Sequence, residues 1–127
     1  MRVIRMQAPL ARARRLGSAR SGSRHWWLQR VTALALAPLT VWFVISFMAL
    51  ISADHRTYSQ WISSPLNAVL MILLVIVLFY HMALGLQVIA EDYLHTDRTK
   101  LFVIISIQFG CLVLTITGVV SILRMMT

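Results

Sequence analysis

The chain has 127 residues, 59% of them hydrophobic and only 13% charged, an apolar share that argues against a water-soluble domain. Twelve Lys and Arg against four Asp and Glu give a formal charge of +8, which in a soluble protein would point to nucleic acid. Here eight of the basic residues (Arg2, Arg5, Arg12, Arg14, Arg15, Arg20, Arg24 and Arg30) crowd into the first thirty positions with no acid among them. Such a segment reads as a topology signal and a ligand for anionic lipid, and no nucleic-acid recognition module follows it.

Residues 1–30 are therefore expected to form a basic tail, and residues 31–123 a membrane domain of three spans. The first, 31–53, has no charged residue and is long enough to cross a hydrocarbon core of about 30 Å at about 1.5 Å per residue. Pro38 within it removes a backbone donor and predicts a bend. A polar stretch, Asp54 to Pro65, leads to the second span, 66–90, which is uncharged apart from a possible charge on His81. A second polar cluster, Glu91 to Lys100, precedes the third span, 101–123. Strands are excluded because lipid leaves their backbone groups unpaired, so the expected class is an all-α membrane protein.

Arg20, Arg24, Arg30, Arg98 and Lys100 flank the spans on one side, Arg56 and Arg124 on the other. The N-terminus is thus predicted to be cytoplasmic, or on the matrix side, with the C-terminus opposite. Trp26, Trp27 and Trp61 fall beyond span ends and read as interface anchors. The Arg- and Ser-rich tail also has the composition of a mitochondrial transit peptide. With that tail in place from Met1, the expectation is a bacterial inner membrane. In span three, Ser106, Gly110, Leu114 and Gly118 recur every four residues and predict a ridge for close helix contact. Cys111 has no second thiol to pair with, so neither a disulfide nor an iron–sulfur cluster is built in this chain.

The chemistry concentrates on span two. His81 lies about fifteen residues from Leu66 and about eleven from Asp92, slightly to the cytoplasmic side of the midplane. An intramembrane imidazole has two nitrogens to satisfy, and three roles are open to it: haem or metal ligand, proton relay, or interhelical hydrogen bond. Gly85, Val88 and Asp92 follow on the same stripe, and Gly85 offers a flat surface for either a macrocycle or a neighbouring helix. Low-spin haem needs two axial ligands, and the remaining histidines (His25, His55, His95) are expected outside the spans, so a second ligand would come from another subunit. At the end of the stripe, Tyr93 beside Asp92 can donate to a quinone carbonyl, or else act as an ordinary aromatic-belt residue.

The run His81-Met82-Ala83-Leu84-Gly85, continuing through Glu91 to Asp92-Tyr93, resembles the signature of the D-type membrane anchor of succinate dehydrogenase (respiratory Complex II): His, three residues, Gly, six residues, Asp-Tyr. A weaker match is Trp27-Leu28-Gln29-Arg30-Val31-Thr32-Ala33 at the entrance to span one. The similarity covers roughly residues 25 to 123. It implies that His81 is an axial ligand of haem b and its iron, that Tyr93 donates to ubiquinone, and that Asp92 neighbours that site. Arg30, expected at the same cytoplasmic level, would pair with a haem propionate or support the quinone pocket, and Gly85 would pack against the haem. The implied partners are a second, C-type haem-binding anchor, an iron–sulfur subunit and a flavoprotein, with FAD and clusters confined to the latter two. The competing expectations are a fumarate reductase anchor and a non-catalytic membrane scaffold.

Overall fold

The computed structural model describes residues 18–127; the arginines from Arg2 to Arg15 lie outside the described residues. Four helices follow in order: α1 Ser18–Leu50, α2 His55–Ser63, α3 Pro65–Tyr93 and α4 Asp97–Met126. Three of them, α1, α3 and α4, are long and apolar enough to cross a membrane, and no strand is present among the described residues.

α1 begins inside the basic tail because no proline separates Pro9 from Pro38 and arginine is a good helix former. Its 33 residues reach about 50 Å, well beyond a hydrocarbon core of about 30 Å. The excess is the N-terminal turns that carry Arg24, Trp26, Trp27 and Arg30. The helix runs through Pro38 without interruption.

α2 was not expected; it occupies the polar stretch between the first two spans. Asp54 caps it, accepting from the Thr57 amide at 3.0 Å, and the Thr57 hydrogen bonds hold the Asp54 carboxyl below the ordinary carboxylate range. Ile62, 1% exposed, is its buried anchor. Trp61, expected as an interface anchor, stacks between Trp42 of α1 at 5.8 Å and Tyr58 at 6.5 Å. Asn67 donates to the Trp61 carbonyl at 2.9 Å and ties α2 to the start of α3, where Pro65 occupies the first turn.

α3 is the helix on which both other spans pack, more extensively with α4 than with α1. Few side chains are buried by this packing: Leu39, Ala68, Leu74, Leu84, Ala90, Cys111 and Ile122 join Ile62 in the core. Most of the apolar surface is left for lipid or for other helices. Four hydroxyls of α4 satisfy themselves, with Ser106, Thr115, Thr117 and Ser121 each donating to the carbonyl four residues earlier at 2.7 to 2.8 Å.

Of the predicted small-residue ridge only one end is used within the chain. A β-carbon on Gly118 would stand 2.8 Å from Val75 Cγ1, whereas one on Gly110 meets nothing within 4 Å. Gly118→Leu is therefore expected to push α4 off α3 and cost ~1–3 kcal/mol. Gly110→Ala should leave the chain's own packing unchanged. Denaturation midpoints of the two variants in detergent check this contrast.

Candidate functional site at the α1–α3 contact

Where α1 crosses α3, His81 Nδ1 lies 2.8 Å from the Thr32 hydroxyl. Thr32 is 8% exposed, the one buried polar residue among the described residues. Its oxygen also lies 2.7 Å from the Leu28 carbonyl and 3.1 Å from that of Gln29. The other imidazole nitrogen, Nε2, has no hydrogen-bond partner among the described residues.

One turn along α3, the open side of Gly85 faces α1: a β-carbon there would stand 3.5 Å from Gln29 Nε2. That distance is an ordinary van der Waals contact, so Gly85 and Gln29 mark where the two helices touch. Gln29 Oε1 and His25 Nε2 are sealed and unpartnered. His25, Gln29 and Thr32 are spaced by four and three and so share one face of α1. Sequence reasoning missed Gln29 and Thr32, and it set His25 outside the spans; their signal was polar residues at helical spacing before an apolar run.

The pairing of Thr32 with His81 and Gln29 with Gly85 sets an antiparallel register. Arg30 is two residues from Thr32, or about 3 Å along the axis, whereas Tyr93 is twelve residues from His81, or about 18 Å. Arg30 is therefore nearer in depth to His81 than to Tyr93. The Arg30 guanidinium lies 4.7 Å over the Trp26 ring, and Trp26 meets Trp27 edge-on at 5.2 Å.

At the end of α3, Tyr93 is 77% exposed, and its phenol has no hydrogen-bond partner among the described residues. His95 Nδ1 is 3.1 Å from the Tyr93 carbonyl, where the ring nitrogen donates. Asp92 and Glu91 are exposed; Gln87 Nε2 donates to Glu91 at 2.9 Å, and Gln108 Nε2 lies 3.5 Å from Gln87 Oε1. An open groove of about 470 Å³ runs between α3 and α4, lined by apolar residues, Tyr80, Thr115 and the Gln87/Gln108 pair, without His81.

Among the described residues no three His, Cys, Asp or Glu side chains converge on a bare metal ion. A haem iron asks less of the protein, since the macrocycle supplies four ligands and the chain need give only an axial one. A lone imidazole within an apolar bundle meets that requirement.

The fold is that of a membrane protein with three long apolar helices, in which one histidine of the middle span is hydrogen-bonded across the α1–α3 contact. The family model of the succinate dehydrogenase/fumarate reductase transmembrane subunit matches residues 4–117, and the chain belongs to that family. It is similar to the succinate dehydrogenase hydrophobic membrane anchor subunit of Rickettsia conorii, with 34% identity covering 94% of this chain and 95% of the relative. The subunit of the same name from Paracoccus denitrificans is 32% identical over 84% of this chain and 83% of its own. The succinate dehydrogenase membrane anchor subunit of Reclinomonas americana is 29% identical over 70% and 77%. No solved structure matches the chain.

Proposed function

We propose that this chain is the membrane anchor of a succinate:ubiquinone oxidoreductase, giving one axial ligand to haem b and part of the quinone-reduction site. In this reading it also tethers a flavoprotein and an iron–sulfur subunit to a bacterial inner membrane. The observation that carries the reading is His81, whose Nδ1 is held by Thr32 while Nε2 has no partner among the described residues. A bare imidazole nitrogen in hydrocarbon is costly, and a ligand removes that cost. Family membership and the bacterial relatives from Rickettsia support the rest.

Bound there, haem b supplies a one-electron redox centre. The residues of this chain would act around it as follows. His81 offers the Nε2 lone pair. Arg30, near the same depth, provides a cation for anionic propionates; at about 15 Å from Tyr93 along the axis, it is better placed for them than for the quinone. Gly85, one turn from His81, would pack against the haem, its missing side chain leaving that part of α3 low. The second axial ligand comes from a C-type anchor, because no other described histidine stands beside His81. At the α3 terminus, Tyr93 donates to a carbonyl of ubiquinone, and Asp92 places an ionisable group beside it.

A tagged chain purified from its own membrane in mild detergent should bring down three further polypeptides together with protohaem; a chain recovered alone, free of haem, refutes the assignment. Orientation is tested separately. Thr96→Cys, in the loop that shares the basic side with the tail, should react with an impermeant maleimide only when the cytoplasmic face is opened. Labelling in intact cells would invert the topology.

A further inference from the structure

The Thr32 oxygen stands 2.7 Å from the Leu28 carbonyl oxygen and 2.8 Å from His81 Nδ1. Two oxygens that close need a proton between them, and a hydroxyl has only one to give. That proton is committed to the backbone, where a threonine in a helix commonly donates to the preceding turn. The hydroxyl can then meet Nδ1 only as an acceptor, so Nδ1 carries the ring proton. In a neutral imidazole this leaves the lone pair on Nε2, the nitrogen with no partner.

We infer that Thr32 is a positioning residue that fixes His81 in the Nδ1–H tautomer and orients its ring, so that Nε2 is ready to bind iron before any cofactor arrives. The inference rests on the haem reading above and extends it to a residue of a different helix. Metal-bound imidazoles ordinarily donate their second N–H to a carboxylate, carbonyl or water. Here a hydroxyl takes that place, itself anchored by the α1 backbone, so the ring orientation follows the α1–α3 register. An acceptor at Nδ1–H makes the ligand more basic and favours the ferric over the ferrous iron. Removing the acceptor should therefore raise the haem potential.

The test uses the complete complex in its membrane, with Thr32→Val, which keeps shape and loses the hydroxyl, and Thr32→Ser, which keeps the hydroxyl. Thr32→Val should shift the ratio of ferric to ferrous affinity by up to tenfold, an upward move in midpoint potential of up to about 59 mV for one electron. It should also alter the low-spin ferric EPR signal, which reports ring orientation, and Thr32→Ser should restore both. A purely structural threonine would change the amount of complex without moving either readout. If Thr32→Val lowers assembly, the substitution is repeated in a His81→Leu background. A loss that vanishes there runs through His81, and an equal loss overturns the inference. His81→Leu alone separates the two levels. An unaltered haem spectrum in His81→Leu defeats the ligand reading itself. An altered spectrum there, with Thr32→Val indistinguishable from wild type, defeats the tautomer inference alone.

Discussion

His81→Leu should leave the chain inserted and its partners bound while haem retention falls by more than about a hundredfold, beyond the 10–100-fold typical when only an outer-shell contact of a metal ligand is lost. The substitution replaces the one histidine of the α3 apolar run with a side chain that lipid favours, so membrane insertion is improved rather than impaired. It also strands the Thr32 hydroxyl without its imidazole, a modest penalty because that hydroxyl keeps its bond to the Leu28 carbonyl. Haem per assembled complex, measured after detergent washing, is the readout. Turnover from succinate to quinone is a poor one, since the haem need not lie on the direct route between them. Haem retained at the wild-type level would mean that His81 is an interhelical hydrogen-bonder and nothing more.

Tyr93→Phe is expected to cut quinone reduction by roughly fivefold to a hundredfold. The ring stays, so the amphipathic anchor at the end of α3 is nearly preserved; only the phenol O–H is lost. One neutral hydrogen bond to a quinone carbonyl is worth ~1 kcal/mol, rising toward ~3 kcal/mol as the accepting oxygen gains charge. Those energies set the range of rates. The 77% exposure of Tyr93 in the isolated chain agrees with a donor whose pocket is completed by other subunits. Succinate oxidation with an acceptor that takes electrons upstream of quinone should stay near wild type. Loss of both activities would indicate failed assembly, and retention of both would return Tyr93 to the aromatic belt.

The three spans were legible because a bilayer imposes a length on uncharged runs, and 31–53, 66–90 and 101–123 each meet it. Helix ends were less so. α1 begins at Ser18 because the interfacial and aqueous turns of a long helix carry arginine and tryptophan, which a search for apolar runs discards. α2 escaped notice for the opposite reason: nine residues of mixed polarity resemble a loop unless the Asp54 cap and the Ser64-Pro65 boundary are weighed together. His81, Gly85, Asp92 and Tyr93 stood out because their spacing lies within one helix. Thr32 and Gln29 did not, since which face of α1 meets His81 depends on the packing register of two helices some fifty residues apart. The same missing register left the depth of Arg30 relative to His81 and Tyr93 unread. Contacts within a helix follow from its period; contacts between helices follow from side-chain packing, on which an amphipathic pattern this weak gives little purchase.

The reduced-minus-oxidised optical spectrum of the assembled complex, recorded in parallel for wild type and His81→Leu, bears most directly on whether this chain ligates haem. A b-type α band is expected in the wild type, and its loss or displacement in the variant at equal amounts of complex. No b-type band in the wild-type complex, or the same band with the same midpoint potential in both, would contradict axial ligation by His81.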